Sequence, residues 1–407
     1  MRNSSILRTV LPLILPLYLP SLIFSLSQSM LIPVLPLYVK SFEVSYGLIG
    51  LVLAGESIGM LIGDIPSGII MRHLGEKRII LLGIGLVAIS TSALFKAQTI
   101  PEAFFYRLVA GLGTSFYSVA RHTIIADLVP TVNRGRAIAF FGGVFRIGRF
   151  GGPIIGGTIA SAYGLRAPFI FFGAAYMIAL INVALSMPKL ERAENSTNRN
   201  STYKKGQLGA TLKSQYKVLS SAGAGSLLMQ MVRSTQMIII PLYAADILGL
   251  DVKTIGLILS LSSSVDMTLF IPAGIIMDRL GRKYAIVSSL FFLTIGISLI
   301  SFTTNFTTLM LVGLLLGFGS GLGSGAMMTL GADLAPEESR GEFLGIWRLL
   351  GDSGGTGGPL AVGAIADIFS LQATTWVISG VGLGAIIIFT FLVKETLSKR
   401  QHPISNP

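Results

Sequence analysis

Long apolar runs alternate with short polar turns along the whole chain. Each run approaches or exceeds about twenty residues, enough for a helix to cross a hydrocarbon core of about 30 Å. The pattern predicts twelve spans, at 11–38, 46–70, 78–95, 101–128, 137–161, 167–187, 216–245, 253–277, 285–301, 306–330, 341–366 and 374–393. Only Arg2 and Arg8 precede the first run. It is too long for the apolar region of a cleaved signal and is read as the first span.

The pattern also repeats. Residues 68–77 (GIIMRHLGEK) recur without a gap as 274–283 (GIIMDRLGRK), an offset of 206 positions. The same offset carries Gly111 and Gly113 onto Gly317 and Gly319, Asp127 onto Asp333, and Gly152 with Pro153 onto Gly358 with Pro359. A period near half the chain length indicates duplication of a whole bundle, because solenoid repeats run to about 20–50 residues. The expected organisation is an N-terminal unit of six helices at 1–187, a cytoplasmic linker at 188–215 and a C-terminal unit of six helices at 216–407.

Composition agrees with a bilayer as the solvent. Charged residues are 12% and hydrophobic residues 52%, with a mean hydropathy of +0.73; soluble domains hold about 25% charged residues. There is no cysteine and there are three scattered histidines, which excludes disulfides and argues against a metal site. The net charge of +12 is a matter of topology rather than of nucleic acid. One set of loops carries Arg72, Lys77, Arg78, Arg134, Arg136, Arg279, Arg282, Lys283 and Arg340, whereas the alternate set has only Lys40, Lys96, Arg166 and Lys253. By the positive-inside rule the first set is cytoplasmic, so both termini are expected inside, in a multi-pass protein of the plasma membrane.

Ionisable residues fall within particular spans: Glu56 and Asp64 in the second, Arg107 and Arg121 in the fourth, Arg146 and Arg149 in the fifth, Arg233 in the seventh, Asp266 in the eighth, Arg348 and Asp352 in the eleventh. A charge at the bilayer centre costs about 2.5–3.5 kcal/mol on insertion scales, so these must face one another or water. The third, sixth, ninth and twelfth spans have uncharged interiors and should face lipid. A hydrated path between the halves is the simplest consequence. Paired charges can also act as glue between helices, although Ser, Thr or Asn would do so without the ionic desolvation cost.

These features resemble the major facilitator superfamily of secondary transporters, over nearly the whole chain. The loop Gly-x-x-x-Asp-Arg-x-Gly-Arg-Lys is complete from Gly274 to Lys283, whereas the copy from Gly68 has Arg72 in place of Asp and Glu76 in place of a base. Arg107, Gly111 and Gly113 match a fourth-span motif. Gly148, Gly152, Pro153, Gly156 and Gly157 match the antiporter motif of the twelve-span drug:proton exporters. The resemblance implies an all-α membrane protein of twelve transmembrane helices in two pseudo-symmetric six-helix bundles. It implies a monomer that works without cofactor, metal or nucleic acid. It further implies a cytoplasmic latch built from Gly68, Arg72, Gly75, Arg136, Gly274, Asp278, Arg279, Gly281 and Glu342, with Asp278 meeting Arg136 and Arg72 meeting Glu342.

Proton coupling needs a group that changes protonation, and arginine does not, so the carboxylates Glu56, Asp266 and Asp352 are the candidate carriers, Glu56 first, with Arg107 as its partner. Depth in the family fold places Asp266 near Arg146 and Arg149, and Asp64 near Arg348. The expected substrate cavity is lined by Gln28, Tyr38, Phe116, Tyr117, Met229, Gln230, Met231, Arg233, Gln236 and Tyr243, a mixture of flexible and aromatic side chains suited to a promiscuous apolar ligand. The expected function is proton-coupled antiport exporting small amphipathic or drug-like compounds by alternating access. Six span arginines against four acids keep an organic-anion or metabolite substrate open, as well as a symporter, or a lipid-translocating or sensor protein without proton coupling. No nucleophile with an adjacent base suggests an enzyme.

Overall fold

The computed structural model describes residues 14–128, 131–187 and 207–397; within these, the side chains of 65, 122, 125–128, 131–139, 207–208 and 210 lie outside the description. The described residues are helical throughout, without strands. The principal helices are α1 (Leu19–Met30), α2 (Tyr46–Leu74), α3 (Glu76–Ala93), α4 (Ile100–Leu128), α5 (Thr131–Tyr163) and α6 (Ala167–Ser186) in the first half. The second half has α7 (Ala224–Asp246), α8 (Val252–Arg279), α9 (Arg282–Ile300), α10 (Phe306–Leu322), α11 (Arg340–Ile368) and α12 (Leu371–Ile387). They make up twelve membrane spans. Seven of the described helices are long and apolar enough to cross a bilayer by length and composition alone. Of the others, α4, α5, α7 and α11 each hold arginine in their interior.

Two expected spans are interrupted. The first breaks at 31–34 and resumes as a short helix, Leu35–Lys40, because Pro33 and Pro36 supply no backbone N–H to an unbroken ladder. The tenth stops at Leu322 and resumes as Ala326–Leu334, with Gly325 in the left-handed region at φ +77°. Helices α5 and α9 begin a few residues before their apolar runs, so their first turns carry polar and basic residues.

Packing follows the duplication. In the first half α2 packs along α4, α3 along both α4 and α6, and α1 along both α5 and α6; advancing each helix by six reproduces the contacts of the second half. Across the seam α5 packs on α8, and its counterpart α11 packs on α2. This is a pseudo-twofold relation between the halves. Helices α3, α6, α9 and α12 lie outermost, and large apolar side chains on them, among them Ile89, Leu185, Phe291 and Leu383, are exposed to the surrounding medium. The remaining eight spans enclose the seam.

The seam is not uniform along its length. At the face carrying the 40–46 and 246–252 loops, the backbone of Gly50 lies against Pro359 and that of Gly157 against Val252. Near the opposite, basic face, a Cβ placed on Gly68, Gly274 or Gly345 would meet no described atom within 4 Å. Close backbone contact therefore shuts the seam at the first face.

Candidate functional site

Glu56 sits midway along α2 where that helix packs on α4. Its Oε2 is ion-paired with Arg107 Nη2, and its Oε1 accepts from Gln28 Nε2 at 2.8 Å and Thr114 Oγ1 at 3.2 Å. The pair is largely withdrawn from solvent, with side-chain exposures of 8% for Arg107 and 14% for Glu56. Such burial is tolerable because the carboxylate's lone pairs are taken up by charge-assisted and neutral hydrogen bonds. The cluster ties α1, α2 and α4 together. It also borders a cavity of about 350 Å³ whose apolar wall comes from Leu31, Ile32, Leu53 and Phe145 on one side and Met237 and Ile238 of α7 on the other. Glu56 thus lies at the seam rather than in the interior of one bundle.

A second cavity, of about 400 Å³, adjoins the first at Arg149, which lines both. It is walled by Arg146, Arg233 and Asp266, together with Gln230, Gln236, Ser320 and Ser324. The break after α10 shapes its wall: Arg233 donates to the Ser320 carbonyl at 2.7 Å, Gln236 to the Ser320 hydroxyl at 2.9 Å, and Arg146 bonds Ser324 across the seam. The Arg146 guanidinium also lies 4.0 Å from the ring centre of Phe270 on α8, a cation–π contact. Asp266 is buried and lines the same cavity as Arg146 and Arg233.

Toward the basic face, Asp64 accepts from Ser115 at 2.6 Å and pairs across the seam with Arg348 at 3.8 Å; Arg348 also bonds Asp352 one turn along α11 at 3.3 Å. Arg121 is buried among the rings of Tyr117, Phe141 and Phe145. At the closed face Lys40 is ion-paired with Asp246, whose other oxygen accepts from Tyr46 at 2.6 Å. Here too Gly47 N–H donates to Asp367 at 2.9 Å.

A seam charged in this way, between two bundles related by a pseudo-twofold axis, is matched by the model of the Major Facilitator Superfamily at residues 17–221 and again at 222–406. The chain belongs to the Major Facilitator Superfamily. The superfamily model matches once per half, so each match is one copy of the duplicated unit. Among curated relatives, an uncharacterised MFS-type transporter of Methanocaldococcus jannaschii is 22% identical over 83% of this chain and 87% of its own length. The quinolone resistance protein NorA of Staphylococcus aureus is 23% identical over 88% of this chain and 91% of its own length. Multidrug resistance protein 2 of Bacillus subtilis is 25% identical over 62% of this chain and 64% of its own. Among solved structures, the D-xylose-proton symporter superposes with a TM-score of 0.76 at 18% identity, covering 95% of this chain and 99% of that one. The nucleoside transporter NupG superposes with a TM-score of 0.76 at 14% identity, covering 93% and 98%. The protein is a multi-pass membrane transporter and not an enzyme.

The superfamily motifs take up definite positions. Gly148, Gly152 and Gly156 on α5 lie against Ser25, Ser29 and Met30 of the first span, and a Cβ on Gly156 would run into the Met30 carbonyl. Gly157 and Pro153 turn the other way and meet Val252 and Gly256 of α8, so one helix carries both an intra-bundle and a cross-seam contact. Arg107 belongs to the Glu56 cluster, while Gly111 and Gly113 fit α4 against α2 and α3. In the loops, Gly75 and Gly281 precede α3 and α9 with φ of +81° and +113°. Asp278 is paired with Arg282 at 3.6 Å, one turn on. The side chain of Arg136, its expected partner, lies outside the described residues. Arg72 ends α2 and Glu342 begins α11, both toward the basic face; Arg279 ends α8.

Of the residues expected to line a substrate cavity, Gln28 borders the first of these two cavities and Gln230, Arg233 and Gln236 the second. Others are packed inside the bundles. Tyr38 donates to the Leu94 carbonyl at 2.6 Å, Tyr117 shares a hydrogen bond of 2.9 Å with Ser21, and Tyr243 donates to the Ser301 carbonyl at 3.3 Å. Phe116 is buried against α3, and Met229 lies in the core of the second bundle. Each stands on the side of its helix turned from the seam, so its hydroxyl or apolar bulk is spent on packing.

Other residues with definite roles had no motif to mark them. Lys77 donates to the Ala184 and Met187 carbonyls at the end of α6, and its counterpart Lys283 donates to Thr390 beyond α12. Glu395 accepts from the backbone N–H groups of Arg282 and Lys283, both at 3.0 Å, at the positive end of α9. Lys40 and Asp246 were legible in the duplication: they lie 206 positions apart, opposite charges at symmetry-related points.

Proposed function

We propose that this chain is a proton-coupled antiporter of the plasma membrane, exporting small amphipathic compounds by alternating access, with the basic face cytoplasmic. The observation that carries the reading is Glu56, a titratable carboxylate in the wall of a cavity between the halves, tied to three helices by Gln28, Arg107 and Thr114. Protonation of Glu56 replaces an acceptor by a donor and dissolves the pair with Arg107, so it loosens α1 and α4 from α2. A substrate whose body fills the adjoining cavity against Gln28 favours the unprotonated arrangement of the three helices, so proton and substrate exclude each other. Mutual exclusion of the two is the condition for antiport.

Closure at the face of Lys40, Tyr46 and Asp246 supports the cytoplasm-facing half of such a cycle. The names of the Staphylococcus and Bacillus relatives, quinolone resistance and multidrug resistance, support export of foreign compounds. A proton returning down 100 mV supplies about 2.3 kcal/mol, or close to fiftyfold in concentration ratio.

The test is uptake of two amphipathic probes of fixed charge, the anion 2-naphthalenesulfonate and the cation ethidium, into everted membrane vesicles with an imposed pH gradient, acid inside. The expected result is gradient-driven accumulation by the native protein and loss of at least tenfold in Glu56→Gln. Full gradient-driven accumulation by Glu56→Gln would remove Glu56 from the mechanism. Accumulation only when the gradient is reversed would replace antiport by symport.

A further inference from the structure

The second cavity is built for negative charge. Arg146, Arg149 and Arg233 face it against the one carboxylate of Asp266. The guanidinium donors are not used up: the Nε atoms of Arg146 and Arg233 are buried without a hydrogen-bond partner, and Arg149 makes no hydrogen bond or ion pair among the described residues. Buried donors left unmatched are costly. Three guanidinium groups held together, with donors unspent, repel one another unless an anion joins them.

Helix glue does not explain this arrangement. Elsewhere along the seam arginines are matched by carboxylates, the buried Arg107 by Glu56 and the half-exposed Arg348 by Asp64 and Asp352. Around the second cavity the excess positive charge is left facing open volume. Gln236 and Ser324 add neutral polar groups beside it. On the other side of Arg149 lies the first cavity, whose wall is mainly apolar, with Phe145 of α5 and Met237 and Ile238 of α7. At about 350 and 400 Å³ the two together suit a ligand of drug size.

We infer that the compounds this transporter binds carry an anionic head, a carboxylate, sulfonate or phosphonate, seated among Arg146, Arg149 and Arg233, with an aromatic or short apolar body lying toward Phe145 and Met237. The inference deepens the transport reading above and rests on it for its physiological meaning, but binding itself requires no proton gradient. A planar oxyanion accepts paired N–H donors from a guanidinium, which matches the fork geometry of arginine. Asp266 opposes the head and sets how tightly it is held.

The test is calorimetric titration of the full-length protein in lipid nanodiscs, with empty nanodiscs subtracted for partitioning. Three probes are used: 2-naphthalenesulfonate, the matched cation (2-naphthylmethyl)trimethylammonium, and sodium sulfate. The sulfonate is expected to bind saturably and at least tenfold more tightly than the cation. Arg149→Gln, which breaks no described hydrogen bond, is expected to weaken it at least tenfold; Arg233→Gln weakens it too, and Asp266→Asn tightens it. Equal affinity for sulfonate and cation, or an unchanged affinity in Arg149→Gln, overturns the inference. Sulfate binding as tight as the sulfonate's overturns the apolar half of the site and leaves a small-anion site. No gradient is applied, so failure of proton coupling in the vesicle assay and failure of anion selectivity here are separate outcomes.

Discussion

A buried ion pair is worth little while intact and much when half removed, and the Glu56–Arg107 pair allows that asymmetry to be measured. Neutralising Glu56 alone leaves a guanidinium at 8% side-chain exposure without its counter-charge, a loss of about 3–5 kcal/mol for pairs of this kind. Glu56→Gln is therefore expected to lower the thermal unfolding midpoint in detergent, and Glu56→Gln with Arg107→Gln to recover most of it. Transport is expected to stay lost in the double variant, which separates the structural part of the pair from the coupling part. A double variant no more stable than the single one would show that Arg107 is satisfied by other groups. The partnership was legible in the chain, because a lone acid at mid-depth on the second span needed a cation from a neighbouring helix. The orientation of Tyr38, Tyr117 and Tyr243 was not, because successive helix positions turn by about 100° and these spans lack the one-sided polar pattern that fixes rotation in a soluble helix.

Single helices here serve two partners at once. Helix α5 presents Gly148, Gly152 and Gly156 to the first span, and Pro153 with Gly157 to α8, so a side chain at Gly157 acts on the cross-seam contact that closes one face. The loops at the basic face have the converse task of closing when the other face opens. Arg72 at the end of α2 and Glu342 in the first turn of α11 carry opposite charge on helices that pack together. If they pair in that alternate state, Arg72→Glu and Glu342→Arg each reduce export several-fold, and the two together restore it, read in the same vesicle assay. Absence of restoration counts against the pairing. Interruption of the first span at its prolines was foreseeable from residue type. Interruption of α10 near Gly325 was not, since α4, its counterpart, stays continuous at the corresponding position.

For the molecule as a whole, the Lys40–Asp246 pair lies between symmetry-related positions and so on the pseudo-twofold axis, where separation of the halves at the closed face must pull it apart. Asp246→Asn is expected to shift the population toward opening at that face. The chain has no cysteine, so spin labels at Glu43→Cys and Asp251→Cys report the separation without background. A longer mean distance in Asp246→Asn, and a return in the exchanged pair Lys40→Asp with Asp246→Lys, is the expected result; an unchanged distance would assign the closed face to backbone packing alone. The linear sequence was enough to determine that the chain spans a bilayer twelve times, that it is one unit duplicated, and that four spans lie outermost. These follow from apolar length and from the cost of charge in hydrocarbon, which are properties of each segment by itself. Only the tertiary structure decided which charges meet, which face is closed, and that three arginines share a cavity with one carboxylate. Those depend on the rotation of each helix and the tilt of one bundle on the other, and both are set by packing between residues far apart in the chain.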